Sequence, residues 1–126
     1  MLVDIPPGTR SIAEGEDANG RVPHGKPATP APVGVRGLND YTMVFASNDA
    51  MKGQYFGYDG PCPPWNDENL HHYHFTVYAL SVGKLDLPAG CTGADALAAM
   101  QGKILAEGRL TGVYTTNPAK GAKVPK

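Results

Sequence analysis

The sequence has no long hydrophobic run and no excess of either charge. No stretch approaches the roughly 20 apolar residues that span a bilayer, and the start MLVDIPPGTR lacks the basic and apolar segments of a secretion signal. Eleven basic and twelve acidic residues give a net charge of -1, so no bulk field favours nucleic acid. We expect a cytoplasmic protein with no nucleic-acid partner and no integral membrane insertion.

Cysteine is also scarce, whereas proline and glycine are abundant. Two cysteines, Cys62 and Cys91, are too few for a disulfide framework, so we expect two reduced thiols. Twelve prolines and sixteen glycines in 126 residues favour short elements joined by turns. A hydrophobic content of 41% suffices for one modest core. The composition predicts a single domain rich in strands and loops.

The first third of the chain predicts short strands and one long loop. Leu2–Ile5 resembles a strand that breaks at the two prolines that follow it. Residues 21–35 contain four prolines, which cannot donate ladder hydrogen bonds, and we expect a flexible surface loop there. The apolar run Tyr41–Phe45 predicts a further short strand.

The remaining elements have stronger signals. Residues 74–80, HFTVYAL, are aromatic and β-branched throughout and apolar on both faces, which predicts a central strand buried on two sides. Thr92 and Asp95 form a capping-box pattern before a short helix that ends at Gly102. Residues 104–114 alternate with period two and predict another strand. The lysine-rich residues 117–126 predict a disordered tail.

Three histidines at the start of the predicted central strand are candidate ligand-binding residues. Because successive side chains of a strand point to opposite faces, His71 and Tyr73 share one face and His72 and His74 share the other. His72 and His74 could supply two metal ligands of a metal-assisted enzyme. The further ligands that such a site would require are sought among His24, Asp67 and Glu68.

His71 and Tyr73 fit a different ligand. An imidazole N–H and a phenol O–H on one face suit an oxygen of phosphate, sulfate or carboxylate, and protonation of imidazole below about pH 6.5 would strengthen that binding. The loop from Gly60 to Pro64, with prolines at Pro61, Pro63 and Pro64, is stiff enough to keep its shape without a ligand.

No motif of a known catalytic site occurs in the sequence. The G-x-S-x-G elbow, the Walker glycine loop and H-E-x-x-H are all missing. Cys62 is the one candidate nucleophile, and no orienting acid accompanies it. We therefore expect a protein that is not an enzyme and that needs no cofactor.

The segments GYDGPCPP and LHHYHFTVYAL resemble a signature of the phosphatidylethanolamine-binding protein family, and most closely its bacterial and archaeal Raf-kinase-inhibitor-like branch. Leu2–Thr9, Ala99–Ala106 and Leu110–Tyr114 resemble further family segments. The resemblance implies a mainly β fold, a Greek-key antiparallel β-sandwich with a few short helices. It also implies a ligand-binding pocket formed by His71, Tyr73, Gly60, Pro61, Pro63 and Pro64.

The chain also departs from the family pattern. The Asp-Pro-Asp-x-Pro and His-Trp motifs of the family site do not occur, and Lys103 replaces a common histidine. We therefore interpret residues 1–116 as a partial domain, the C-terminal portion of the fold without its first strands. On this interpretation half of the pocket is absent, and a version extended upstream would be more stable.

These observations support three functional hypotheses. The first is a non-enzymatic binding module with a small pocket for a phosphate-like anionic head group, such as phosphate or a phospholipid head group. The second, also implied by the resemblance, is a regulator that binds a kinase or protease through its surface. The third is the metal-assisted enzyme using His72 and His74. A homodimer is a further candidate assembly.

Overall fold

The computed structural model describes residues 1–18 and 20–121. Two compact units divide the chain: the first contains Met1–Gly60 and Leu80–Lys103, and the second contains Pro61–Ala79 and the chain from Ile104 onward. The elements in chain order are β1 (Leu2–Val3), β2 (Val35–Arg36), α1 (Tyr41–Val44), β3 (His71–Leu80), α2 (Gly93–Met100), β4 (Ile104–Tyr114) and α3 (Pro118–Gly121). The predicted mainly β class with a few short helices is confirmed.

The first unit contains a short antiparallel pair, β1 with β2. Leu2 lies opposite Arg36 and Val3 lies opposite Val35. Gly34 precedes β2 with a φ of +61°, and a Cβ there would collide with the Val3 carbonyl oxygen, so this turn requires glycine. The predicted strand at Leu2–Ile5 therefore forms over its first two residues.

The segment Tyr41–Phe45 is helical, so the predicted strand there is wrong. The amide of Phe45 donates to the carbonyl of Tyr41, as in a helical turn, and the Asn39 side chain accepts from the amide of Tyr41 at 3.0 Å. The rings of Tyr41 and Phe45, four residues apart, stack at 5.2 Å and both contact the ring of Tyr55. This i,i+4 ring contact favours the helical turn.

Charged side chains hold the proline-rich residues 21–35. Arg36 Nη1 donates to the carbonyls of Pro27 at 3.2 Å and Pro30 at 2.5 Å. Lys26 Nζ donates to the carbonyl of Asp17 at 2.5 Å and to that of Tyr58. The predicted flexibility of this loop stays a prediction.

Helix α2 has the predicted capping box. Thr92 Oγ1 accepts from the Asp95 amide at 3.3 Å, and Asp95 Oδ2 accepts from the Thr92 amide at 2.9 Å. The helix buries Ala96 and Met100, which lie one turn apart, and Gly102 follows at a φ of +75°. The predicted helix is confirmed.

The second unit contains β3 paired with β4. His74 Nδ1 lies 2.8 Å from Thr111 Oγ1, and Arg109 Nε donates to Thr76 Oγ1 at 3.3 Å. Because the residue number rises on β3 while it falls on β4, the strands run antiparallel. Both predicted strands are confirmed.

The predicted two-sided burial of β3 is wrong. Within residues 1–18 and 20–121, β3 pairs with β4 alone, and Val77 is 69% exposed. An apolar sequence on both faces is buried only where other elements cover both faces, and none covers Val77 here.

The segment after β4 begins with an ordered turn. Asn117 is buried, and its Oδ1 accepts from the amide of Ala119 at 3.0 Å, while Pro118 occupies the first position of α3. Part of the predicted disordered tail is thus helical, and residues 122–126 lie outside the described residues. No helix among the described residues is long and apolar enough to cross a membrane.

Candidate functional site

The start of β3 places His71 and Tyr73 on one face. Their ring centroids are 6.3 Å apart and their planes are 25° apart, a stacked arrangement. Both residues are half-buried. The shared face predicted from strand alternation is therefore present, and an imidazole and a phenol lie side by side at its end.

Asp67 orients the ring of His71. Asp67 Oδ2 lies 2.7 Å from His71 Nε2, and Asp67 Oδ1 accepts from the Asn69 amide at 2.8 Å. The Asn69 amide and then the His71 ring hold the pKa of the Asp67 carboxyl below its usual range. The carboxylate is therefore ionised at neutral pH, and it fixes one nitrogen of the imidazole and leaves Nδ1 for another partner.

The part of the predicted loop that lies in the second unit, residues 61–64, and the turn after it make hydrogen bonds with the segment after β4. The Pro63 carbonyl accepts from Thr116 Oγ1 at 2.7 Å, and the Asp67 carbonyl accepts from Asn117 Nδ2 at 3.0 Å. Lys120 Nζ lies 3.0 Å from Glu68 Oε2. Sequence reasoning missed these contacts because it placed this segment in a disordered tail; Asn117 followed by Pro118 was the available signal of a helix start.

The loop residues that were predicted to line the pocket, Gly60, Pro61, Pro63 and Pro64, differ in their surroundings. Pro63 is buried, Pro61 and Pro64 are exposed, and the Pro64 carbonyl accepts from the Asp67 amide at 3.1 Å. Pro64 thereby belongs to the same turn as the partner of His71. Gly60, which ends the first segment of the first unit, has a φ of +82°, and no atom lies within 4 Å of a Cβ built there.

The first unit holds a polar cluster next to Gly60 that sequence reasoning missed. Asp59 is buried, with Oδ2 accepting from Asn39 Nδ2 at 2.6 Å and Oδ1 lying 3.9 Å from Lys26 Nζ. Among the described residues, Asp59 Oδ1 has no hydrogen-bond partner. The nearby Lys26 charge offsets part of the cost of burying this carboxylate.

The other histidines have separate surroundings. His72 and His74 are exposed, and His74 contacts Thr111 on β4. His24, in the first unit, places Nδ1 2.8 Å from the Lys52 carbonyl oxygen. No group of three histidine, cysteine or acidic residues in the described part of the chain is arranged to hold a metal ion. Cys62 is exposed, Cys91 is buried, and both are free thiols.

Two clefts lie in the first unit. One, of about 450 Å³, is lined by residues 24–28 with Gln54 and Phe56; the other, of about 300 Å³, is lined by residues that include Arg36, Leu87 and Cys91. Neither cleft includes His71 or Tyr73. The histidine–tyrosine pair lies half-buried at the start of β3.

Comparisons with known proteins identify the family. The model of the phosphatidylethanolamine-binding protein family matches residues 1–115. A UPF0098 protein of Aquifex aeolicus is 36% identical over 115 residues, which is 90% of this chain and 54% of that protein. A UPF0098 protein of Methanothermobacter thermautotrophicus is 34% identical over 114 residues, 90% of this chain and 60% of that protein.

The putative lipoprotein LppC of Mycobacterium tuberculosis gives a shorter match. It is 45% identical over 58 residues, which is 46% of this chain and 28% of that protein. No solved structure gives a significant match. The chain spans little more than half the length of the two UPF0098 relatives. Because the family model covers more than half of the chain, the chain belongs to the phosphatidylethanolamine-binding protein family.

Proposed function

We propose that this chain is a non-enzymatic binding module that takes a phosphate-like anionic head group through His71 and Tyr73. The observation that carries the proposal is the stacked pair on one face of β3, with ring centroids 6.3 Å apart. An imidazole N–H and a phenol O–H on one face are donors that suit the oxygens of one anion. Family membership supports the same assignment.

The charge of the Asp67–His71 pair determines how an anion binds. When His71 is protonated, its positive charge and the negative charge of the Asp67 carboxylate sum to zero. The pair therefore attracts an anion only weakly at long range. Lys120 is paired with Glu68, the residue that follows Asp67. Affinity then depends on short, directional hydrogen bonds from the rings. Removal of the Asp67 charge by Asp67→Asn should strengthen anion binding roughly 3- to 10-fold.

The proposal is tested by NMR titration with inorganic phosphate and, separately, phosphorylethanolamine. Resonances of His71 and Tyr73 should shift, more strongly at pH 6 than at pH 8, because a ring whose Nε2 donates to Asp67 can donate to the anion through Nδ1 only when it is protonated. His71→Ala should weaken binding on the order of 10-fold or more, the loss of a charge-assisted hydrogen bond.

His72→Ala is the matched control, since His72 is an exposed histidine on the opposite face of the same strand. That variant should bind phosphate as the unaltered chain does. Equal losses in the two variants, or no shift at His71 with either ligand at both pH values, would contradict the proposal.

A second candidate function is a regulator that binds a kinase or protease through its surface. Trp65, the single tryptophan, is 72% exposed in the turn after Pro63 and Pro64. An exposed tryptophan on a stiff loop is a frequent anchor of protein interfaces. Binding of a purified partner that survives His71→Ala and is lost in Trp65→Ala would favour this function; loss in His71→Ala alone would favour the anion site.

A further inference from the structure

One side chain from the segment after β4 is buried against the turn that contains Asp67. Asn117 is 8% exposed, and its Nδ2 donates to the Asp67 carbonyl at 3.0 Å. Within residues 61–70, Pro63 is buried and Asp67 is half-buried, and every other residue is exposed. These two are also the residues whose carbonyls accept from Thr116 and Asn117. The segment after β4 therefore shields this turn where it donates to it.

The Asn117 side chain makes two hydrogen bonds of opposite polarity. Its Oδ1 accepts from the Ala119 amide at 3.0 Å and caps α3, while its Nδ2 donates to the Asp67 carbonyl. Because one partner is a backbone donor and the other is a backbone acceptor, only one orientation of the side-chain amide satisfies both. Loss of either partner would leave a buried polar group unpaired, which costs free energy.

The cap of α3 does not by itself require asparagine. Asparagine, aspartate and serine are about equally good at this position, since each offers an oxygen to the amides of the first turn. Of the three, asparagine alone also carries an N–H donor at the end of its side chain. The hydrogen bond to Asp67 therefore explains the choice of asparagine at position 117, which the cap leaves open.

The Asn117 contact completes the set of hydrogen bonds that fix Asp67. The Asp67 amide donates to the Pro64 carbonyl at 3.1 Å, and its Oδ1 accepts from the Asn69 amide at 2.8 Å. With its carbonyl held by Asn117, the backbone of Asp67 is fixed on both sides of the side chain. The direction in which Oδ2 points, 2.7 Å from His71 Nε2, therefore depends on Asn117.

The ion pair of Lys120 with Glu68 is a weaker candidate for the same role. Lys120 Nζ lies 3.0 Å from Glu68 Oε2, but the two side chains are 34% and 78% exposed. Exposed ion pairs contribute little to stability, whereas a buried and fully paired amide is costly to disturb. The positioning role is therefore assigned to Asn117.

We propose that Asn117 is a positioning residue of the anion site, whose side-chain amide fixes Asp67 and, through Asp67, the ring of His71. The inference rests on the proposed function, in which His71 donates to the anion. It predicts opposite effects for two small changes. Asp67→Asn keeps an oxygen that orients the ring and removes the opposing charge, so it should strengthen anion binding. Asn117→Ser keeps the charge and releases the ring, so it should weaken anion binding.

Titration of the 126-residue chain, Asn117→Ser and Asn117→Ala with inorganic phosphate tests the proposal. Serine keeps the cap of α3 but is too short to reach Asp67 as well, and alanine keeps neither contact. Both variants should raise the dissociation constant for phosphate about 3- to 10-fold, and alanine should lower the melting temperature more than serine. Phosphate binding by Asn117→Ser equal to that of the unaltered chain would show that Asn117 is a helix cap alone.

Thr116→Val is the matched control, because it removes one hydrogen bond between the same two segments, the one to Pro63. It should leave phosphate binding nearly unchanged. A double-mutant cycle then identifies the route of the effect. Once Asp67→Ala has removed the carboxylate, Asn117→Ser should weaken binding no further. Further weakening in that background would show that Asn117 is a general support of the fold.

A measurement without ligand separates this inference from the proposed function. The Asn69 amide and then the His71 ring lower the pKa of Asp67, so Asn117→Ser, which releases the ring, should raise that pKa part of the way to its ordinary value. Carbon-detected NMR measures it, and circular dichroism verifies that each variant is folded. If the unaltered chain binds no phosphate and the pKa still rises, the proposed function fails and the positioning of His71 stands. An unchanged pKa in Asn117→Ser, or an equal rise in Thr116→Val, would overturn the positioning role.

Discussion

At the scale of single residues, the Asp67 carboxylate limits what His71 can do. It fixes the ring through Nε2 at 2.7 Å and places a negative charge beside the proposed anion site. It is itself held by the Asn69 amide. The pair thus combines an oriented donor with a charge that opposes the ligand, which favours weak and pH-dependent binding.

The titration of Asp67 is a direct check of this geometry. We expect its pKa to lie below the ordinary value of about 3.9, with the Asn69 amide as the larger cause and His71 as the next. Because the folded-state pKa is lowered, the stability contributed by this carboxylate is present above the ordinary pKa and is lost as the pH falls through the lowered one. Carbon-detected NMR of the carboxyl group measures this pKa.

The variant His71→Ala separates the two causes of the lowered pKa of Asp67, the Asn69 amide and the His71 ring. The pKa of Asp67 should rise part of the way and stay below its ordinary value, since the Asn69 amide still donates. A full return to the ordinary pKa would show that the amide contributes nothing, and an unchanged pKa would show that His71 does not contact the carboxylate in solution.

Strand alternation was enough to predict the shared face of His71 and Tyr73, because it follows from backbone geometry alone. The role of Asp67 could not be predicted in the same way. Its position depends on two loop hydrogen bonds, from its own amide to the Pro64 carbonyl and from the Asn69 amide to its side chain. Sequence reasoning considered Asp67 only as a possible further ligand of a metal site, because it had no means of locating the loop.

At the scale of elements, the capping box of α2 gives the sharpest prediction. Thr92→Ala removes the acceptor of the Asp95 amide and should lower the free energy of unfolding by about 1 kcal/mol. Thr92→Ser retains the hydroxyl and should cost much less. Thermal or denaturant unfolding measures both. Equal destabilisation by Ala and Ser would show that the methyl group of Thr92 matters and the cap does not.

The success of sequence prediction at this scale depends on whether the signal is local. The cap at Thr92 and the alternation of β4 are local, and both were predicted correctly. The run Tyr41–Phe45 is too short to separate a strand from one helical turn, and the side-chain contact of Asn39 with the Tyr41 amide favours the helix. The burial of β3 is not local at all, because it depends on what else covers the strand.

At the scale of the whole molecule, the buried apolar side chains are unevenly distributed. Tyr55, Phe56, Cys91, Ala96 and Met100 are buried in the first unit, whereas the second unit buries Pro63. In the second unit, β3 and β4 instead expose large apolar side chains. The sequence predicted one modest core, but composition could not reveal in which unit most of the buried side chains would lie.

This distribution predicts unequal protection in amide hydrogen exchange. The amides of Leu38 and Asn39, which donate to the Cys91 and Tyr55 carbonyls at 2.8 and 2.7 Å, should exchange slowly. In dilute protein the amides of β3 and β4 should exchange faster, because few buried contacts oppose local opening. Amides of β4 as protected in dilute protein as that of Leu38 would contradict the expected weakness of this pair, since two exposed strands cannot supply that stability alone.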